Sequence, residues 1–210
     1  MRRLCVEAPM PFDEAAAWAT DAELTAARSF APARAQEFLA WRAIVRRETG
    51  LDTAIAYNAA GAPILPHLPL HIAVSHCPGR VAVAISDRPC ALDIERVDRN
   101  FRRILPRYLS PTEQAISDDP HFPAIAWCAK ETLYKYAGVP SCDLLHDLRI
   151  DGLRDRQLPP CDRPEGLPAG IASGTISAHL AGKAARNATE TPLTLHFCRD
   201  DAFVTVFLFE

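Results

Sequence analysis

Apolar residues in this chain come either in long stretches with few breakers or in short β-branched runs between proline and glycine signals. The two patterns predict different elements. Thr20 and Glu23 in TDAE have capping-box spacing, and the breaker-poor segment from Ala33 through Glu48, stopping at Thr49–Gly50, predicts a long helix. Gly61-Ala62-Pro63 and the proline-rich ILPHLPLH predict turns. HIAVSH, RVAVAISD and ALDIERV, separated by Pro-Gly and Arg-Pro, predict three strands. SPTE at 110–113 predicts a helix start with Pro111 at the first helical position. Residues 151–174, crowded with Pro, Gly, Asp and Arg, predict a long loop with a mobile end. TPLTLHF and AFVTVFLF, joined across Cys198–Asp201, predict a terminal hairpin. No internal repeat is visible.

Two of these stretches carry charge in a pattern. In WCAKETLYKYAG, residues 127–138, Trp127, Lys130, Glu131, Tyr134 and Lys135 recur at helical spacing, while Ala126, Ala129, Leu133 and Ala137 form another, apolar face. A solvated surface with a Glu131–Lys135 pair, worth ~0.2–0.5 kcal/mol, accounts for the charges alone. The aromatic pair in the same stripe calls for partial enclosure. In ALDIERV, residues 91–97, alternation sends Asp93 and Glu95 to one side and Leu92 and Ile94 to the other. Neighbouring carboxylates repel unless a cation, a basic partner or solvent compensates them, so the pair reads either as half of a magnesium site or as a strand end paired with Arg96 or Arg99.

Composition narrows the choices. The chain has 210 residues, 49% of them hydrophobic, enough for a substantial core in one domain or two small ones. A net charge of -3 argues against an extended nucleic-acid surface and leaves room only for a local anion site. Seven cysteines without a CxxC pair fit a reduced, cytoplasmic protein. Proline and acids interrupt MRRLCVEAPMPFDE before a signal-type apolar region forms, and no stretch is long enough to span a membrane, so a soluble chain is expected.

Two weaker constellations remain. Arg42 and Arg46, with Arg34 two turns before Arg42, could form an anion-binding stripe on the long helix, although surface arginines usually serve solvation. Ser75 and His76 in AVSHCPGR could donate to a phosphate, or His76 could be a buried, structurally satisfied histidine. Adjacent strand residues face opposite ways, which argues against a His76–Cys77 nucleophile, and the scattered Cys and His form no zinc signature.

Taken in order, GAP at 61–63, SHC at 75–77, LDIE at 92–95 and WCAKETLYK at 127–135 resemble the motifs of the 4′-phosphopantetheinyl transferases, particularly their longer monomeric type. The resemblance covers about residues 34–138. It implies transfer of the phosphopantetheine arm of coenzyme A to a serine of an apo acyl carrier or peptidyl carrier protein, with adenosine 3′,5′-bisphosphate released. It further implies that Asp93, Glu95 and Glu131 bind Mg²⁺, that Glu131 is the general base, and that Lys135, with Lys130 as a second cation, stabilises phosphate charge. Ser75, His76, Arg42 and Arg46 would contact the phosphates of coenzyme A, and Gly61 and Pro63 would shape the adenine side. The implied fold is an α+β pseudodimer of two similar halves, 1–97 and 98–210, with the site in the cleft between them.

The chain departs from the family pattern at several positions. Ala62 stands where a lysine is usual, Cys77 where a second serine is, and Leu92 near the usual glycine-containing pair before DIE. Glu37 lies where an arginine is frequent, with Arg34 one turn earlier, and GVPS follows the charged helix in place of a basic loop. These departures motivate a rival expectation, a noncatalytic coenzyme A-binding or scaffold protein of the same fold. A globular interaction domain with coincidental motifs is the third.

Overall fold

The computed structural model describes residues 2–157, 171–185 and 192–210. Its architecture is α+β, with two antiparallel sheets side by side and one long helix packed on each. The first sheet has the order β1-β5-β4, from Arg2–Glu7, Arg80–Ser86 and His71–Cys77. The second has the order β6-β10-β9-β8-β7, from Cys90–Arg96, Phe203–Phe209, Pro192–Arg199, Ala172–Leu180 and Leu148–Asp155. A two-rung hairpin, β2 (Ala56–Tyr57) and β3 (Pro63–Ile64), stands apart from both. Among the described residues no helix is long and apolar enough to cross a membrane.

The first half is organised by three helices, α1 (Phe12–Ala16), α2 (Asp21–Ala27) and α3 (Pro32–Thr49). The Thr20–Glu23 capping box forms as the spacing predicts, satisfying the first amides of α2. Helix α3 starts with Pro32 in the first turn and stops at Gly50, whose φ of 117° lies outside the range that side chains favour. Its Ile44 and Val45 face Val81, Val83 and Ile85 of β5, while Leu39 and Ala43 face Ala15 and Ala27 of the short helices. A helix covered on two sides leaves little surface for solvation, which bears on its arginines below.

The second half packs α5 (Phe122–Ala137) across β6, β10 and β7. Ala126, Ala129, Leu133 and Ala137 are buried, as the periodicity predicts, and Thr132 donates to the Val206 carbonyl at 3.1 Å. Gly138, in the left-handed region at φ 57°, ends the helix. The Ser110–Glu113 capping box also forms, but the helix it starts, α4 (Pro111–Gln114), has only four residues. The terminal hairpin is β9–β10, with Thr205 opposite Cys198.

One expectation is corrected here. Residues 151–155 and 172–174 belong to strands β7 and β8 rather than to a loop, and Asp155 pairs with Gly174. Gly174 is not a loop glycine: a Cβ there would meet the Phe197 ring at 2.4 Å and the Arg154 carbonyl at 2.3 Å. The rest of that expected loop, 158–170, lies outside the described residues. Strand β6 hydrogen-bonds to β10, so the second sheet begins at Cys90 and Asp93 and Glu95 belong to it. Leu4, Ala73 and Ala84 of the first sheet pack against Leu92, Ile94 and Phe207 of the second, so β4 lies against β6 through a shared apolar core.

Candidate active site

The juxtaposition of β4, β6 and α5 builds the site. Asp93 points from β6 toward both neighbours: Ser75 Oγ on β4 donates to its Oδ1 at 2.7 Å, and Lys135 Nζ on α5 donates to the same oxygen at 2.8 Å. Lys135 also donates to the Leu92 carbonyl at 3.0 Å, which pins its ammonium over the strand. The second oxygen, Asp93 Oδ2, is buried without a hydrogen-bond partner. Behind it, burial first and then the Asp93 and Glu95 charges push the Cys128 thiol well above its ordinary value, so the thiol keeps its proton.

Glu95, two residues along β6, accepts from Arg99 Nη1, whose guanidinium lies 5.2 Å from the Phe101 ring centre and 5.5 Å from that of Trp127. Trp127 meets Tyr108 edge to face at 5.2 Å. This answers why the charge stripe of α5 carries an aromatic: the ring is the floor on which Arg99 reaches Glu95. Glu131 joins the cluster electrostatically. Burial, then the Asp93 charge, push its carboxyl up against the opposing pull of Lys135, and burial does the same to Glu95 against Arg99. Glu95 and Glu131 thus share a region where their ionisation is disfavoured.

A divalent cation is the natural complement. Among the described residues no three His, Cys, Asp or Glu side chains stand close enough to enclose a metal ion, so Asp93, Glu95 and Glu131 are not a preassembled cage. Lys135 and Arg99 pair with Asp93 and Glu95 instead. The buried, unpartnered Asp93 Oδ2 and the raised carboxyls nonetheless fit Mg²⁺, which uses one or two protein carboxylates and completes its shell with water and phosphate oxygens.

A cavity of about 350 Å³ opens beside this cluster. The turn Ala60–Pro63 forms one wall, Ile72–Val74 and Cys90–Ala91 the floor, and Tyr134, Lys135 and Gly138–Pro140 the other wall. Gly61 and Pro63 are therefore brought together with Lys135 across a space suited to a small molecule with an apolar part and an anionic part. Tyr134 and Gly138–Pro140, given no ligand role by sequence, also line this cavity.

Other predicted residues are placed elsewhere. Ser75 is buried and spends its hydroxyl on Asp93, so it orients a carboxylate rather than facing a phosphate. Arg42 and Arg46 are 3% and 2% exposed. Arg46 donates to both Glu23 oxygens at 2.7 and 3.0 Å and to the Trp18 and Thr53 carbonyls, and Arg42 donates to Glu23 at 3.2 Å. They fall on flanks of α3 that α2 covers, so they bind an internal carboxylate and form no anion stripe. Lys130 is fully buried, donating to Glu113 at 2.6 Å and to the Leu148 carbonyl. It sits about 100° around the helix from Glu131, which turns it into the second half's core while Glu131 turns to the cleft.

His76 lies at the cleft's outer edge. Its Nε2 is 2.6 Å from Arg34 Nη1 and its Nδ1 3.1 Å from Glu37 Oε2. Arginine only donates, so Nε2 accepts and the ring proton sits on Nδ1, directed at Glu37. Burial pushes the imidazole below its ordinary value despite the Glu37 charge, consistent with that neutral form.

An α+β protein with paired carboxylates, a lysine and a ligand-sized cleft between two sheets is the class of structure defined here. Residues 89–169, which include β6 and all of α5, match the family model of the 4′-phosphopantetheinyl transferase superfamily. This segment is what links the chain to that superfamily by similarity. Over 137 residues it is 28% identical to a 4′-phosphopantetheinyl transferase of Bacillus subtilis, an alignment covering 59% of this chain and 61% of that relative. The chain thus spans about 61% of the length of the relative it matches.

Proposed function

We propose that this chain transfers the 4′-phosphopantetheine arm of coenzyme A to a serine hydroxyl of an apo acyl carrier or peptidyl carrier protein. The observation that carries the reading is Asp93 of β6 bound to Lys135 of α5 at 2.8 Å, beside Glu131 and a cavity of about 350 Å³. The match of residues 89–169 to the superfamily model and the similarity to the Bacillus subtilis transferase support it. Each half pairs one long helix with an antiparallel sheet, which supports the reading of the fold as a pseudodimer with its site between the halves.

In the reaction the carrier serine oxygen attacks the phosphorus that bears the pantetheine arm. The new P–O bond forms as the bond to the second phosphate breaks, and adenosine 3′,5′-bisphosphate leaves. Glu131 accepts the serine proton at a carboxylate oxygen. Lys135, held by the Leu92 carbonyl and Asp93, lies on the cavity wall and balances phosphate charge there. Asp93, Glu95 and Glu131 would hold Mg²⁺, which supplies further positive charge to the phosphate oxygens when bound. The apolar walls at Gly61, Pro63 and Val139 accommodate the neutral part of coenzyme A.

A binder that does not transfer is the second reading, favoured by Glu37, which occupies His76 and faces Arg34 at 3.9 Å where an anion could otherwise dock. Incubation with coenzyme A, Mg²⁺ and a panel of apo carriers separates the two. Transfer adds the phosphopantetheine mass to a carrier, whereas binding without that mass gain supports the second reading.

A further inference from the structure

The hairpin that walls the cavity is too small to hold itself in place. Its ladder has two rungs, Ala56 opposite Ile64 and Tyr57 opposite Pro63, and a two-stranded ribbon is marginal in water even when longer. The turn is well formed internally: Asn58 Oδ1 accepts from the Ala60 and Ala62 amides at 2.9 and 3.0 Å, and Gly61 adopts φ 79°. What fixes this unit to the body is then decisive for the cavity, because Ala60–Pro63 form the wall opposite Lys135 and Val139.

Arg42 supplies the fixture. Its guanidinium carbon lies 3.5 Å from the Phe38 ring centre and 4.1 Å from that of Trp41. Each nitrogen has its own acceptor: Nε donates to Glu23 at 3.2 Å, Nη1 to the Phe38 carbonyl at 2.7 Å and Nη2 to Tyr57 Oη at 2.6 Å. A planar cation stacked against two rings and hydrogen-bonded at two nitrogens is held in place, so the third nitrogen is a fixed post. Tyr57 is 53% exposed, and burial of its ring does little to secure the strand.

We propose that Arg42 and Tyr57 are positioning residues for the ligand cavity, their hydrogen bond holding the Asn58–Ala62 turn as its outer wall. Arg42 thereby affects ligand binding without touching the ligand, the reverse of the direct phosphate contact that sequence suggests. The consequence for coenzyme A rests on the functional reading above, whereas the tether itself does not.

Tyr57→Phe removes the hydroxyl and keeps the ring. Amide exchange over residues 58–62 should accelerate about fivefold, and KM for coenzyme A should rise about fivefold with kcat within about twofold, the scale of one lost hydrogen bond. Arg42→Lys, which loses the fork, should raise KM similarly, and the double variant should add little to either single change. Unchanged exchange in Tyr57→Phe, or fully multiplicative KM effects in the double variant, would overturn the tether. If the wild type neither binds coenzyme A nor transfers, the functional reading fails and the exchange comparison alone decides the tether, equal exchange overturning it.

Discussion

Ser75 on β4 and Asp93 on β6 are joined by a 2.7 Å hydrogen bond across the line where the two sheets meet. The bond fixes one carboxylate oxygen, Oδ1, which Lys135 also holds at 2.8 Å. Ser75→Ala should therefore act on the reaction more than on ligand affinity. We expect the transfer rate to fall about tenfold with the coenzyme A Kd within about twofold. Steady-state kinetics with calorimetric binding measures both, and an unchanged rate would remove Ser75 from the account.

Burial and mutual repulsion raise the Glu131 and Glu95 carboxyls. A carboxyl whose folded value exceeds its unfolded value destabilises the fold progressively as pH rises through the unfolded value toward the folded one, and the deficit persists above. Glu131→Gln should therefore raise the Tm at neutral pH in metal-free buffer while abolishing transfer. Magnesium should raise the Tm of the wild type and have less effect on the variant. Thermal melting with and without the ion checks the sign of both changes.

Lys130 and Glu113 form a fully enclosed pair. Burial pushes the Glu113 carboxyl up, but Lys130 and the Ile150 and Ser110 amides outweigh it and hold the carboxyl below its ordinary value. Lys130→Met should cost about 3–5 kcal/mol because it strands a buried carboxylate. In a Glu113→Gln background the same change should cost markedly less. Denaturant unfolding of the two singles and the double measures the coupling. The lowered carboxyl adds a pH signature: its stabilisation is full above the unfolded carboxylate value and is lost as pH falls through the folded one, so Glu113→Gln should flatten the acid limb of stability.

Arg46 is bound to Glu23 and two backbone carbonyls and reaches no part of the cavity wall. Arg46→Met should lower stability by about 3 kcal/mol and leave KM for coenzyme A within about twofold. A large rise in KM at unchanged stability would return Arg46 to the ligand.

The elements with strong local signals were legible. Gly50 and the β-branched runs delimit α3 and β4–β6 as read, and both capping boxes form where their spacing places them. Strand β1 was not read, because RRLCVE is short and charged and gains its place only by pairing with β5. Strands β7 and β8 were hidden by residues that normally signal loops, with Gly174 required by Phe197 rather than by a turn. In the site, alternation correctly paired Asp93 with Glu95. Helical spacing grouped Lys130 with Glu131 too generously, since a stripe that admits both i+3 and i+4 is wide enough to span the edge between core and cleft. Arg42 and Arg46 were misread for a tertiary reason, because nothing local announces that Glu23 waits on another helix.

The central claim is that the cluster around Asp93, Glu131 and Lys135 transfers the phosphopantetheine arm. Intact mass spectrometry of several apo carrier proteins after incubation with the chain, coenzyme A and Mg²⁺ tests it most directly. The account predicts the mass of one phosphopantetheine arm on at least one carrier, lost with Asp93→Ala and with Glu131→Gln although both variants stay folded. No mass gain across the panel, or wild-type turnover in either variant, would contradict it.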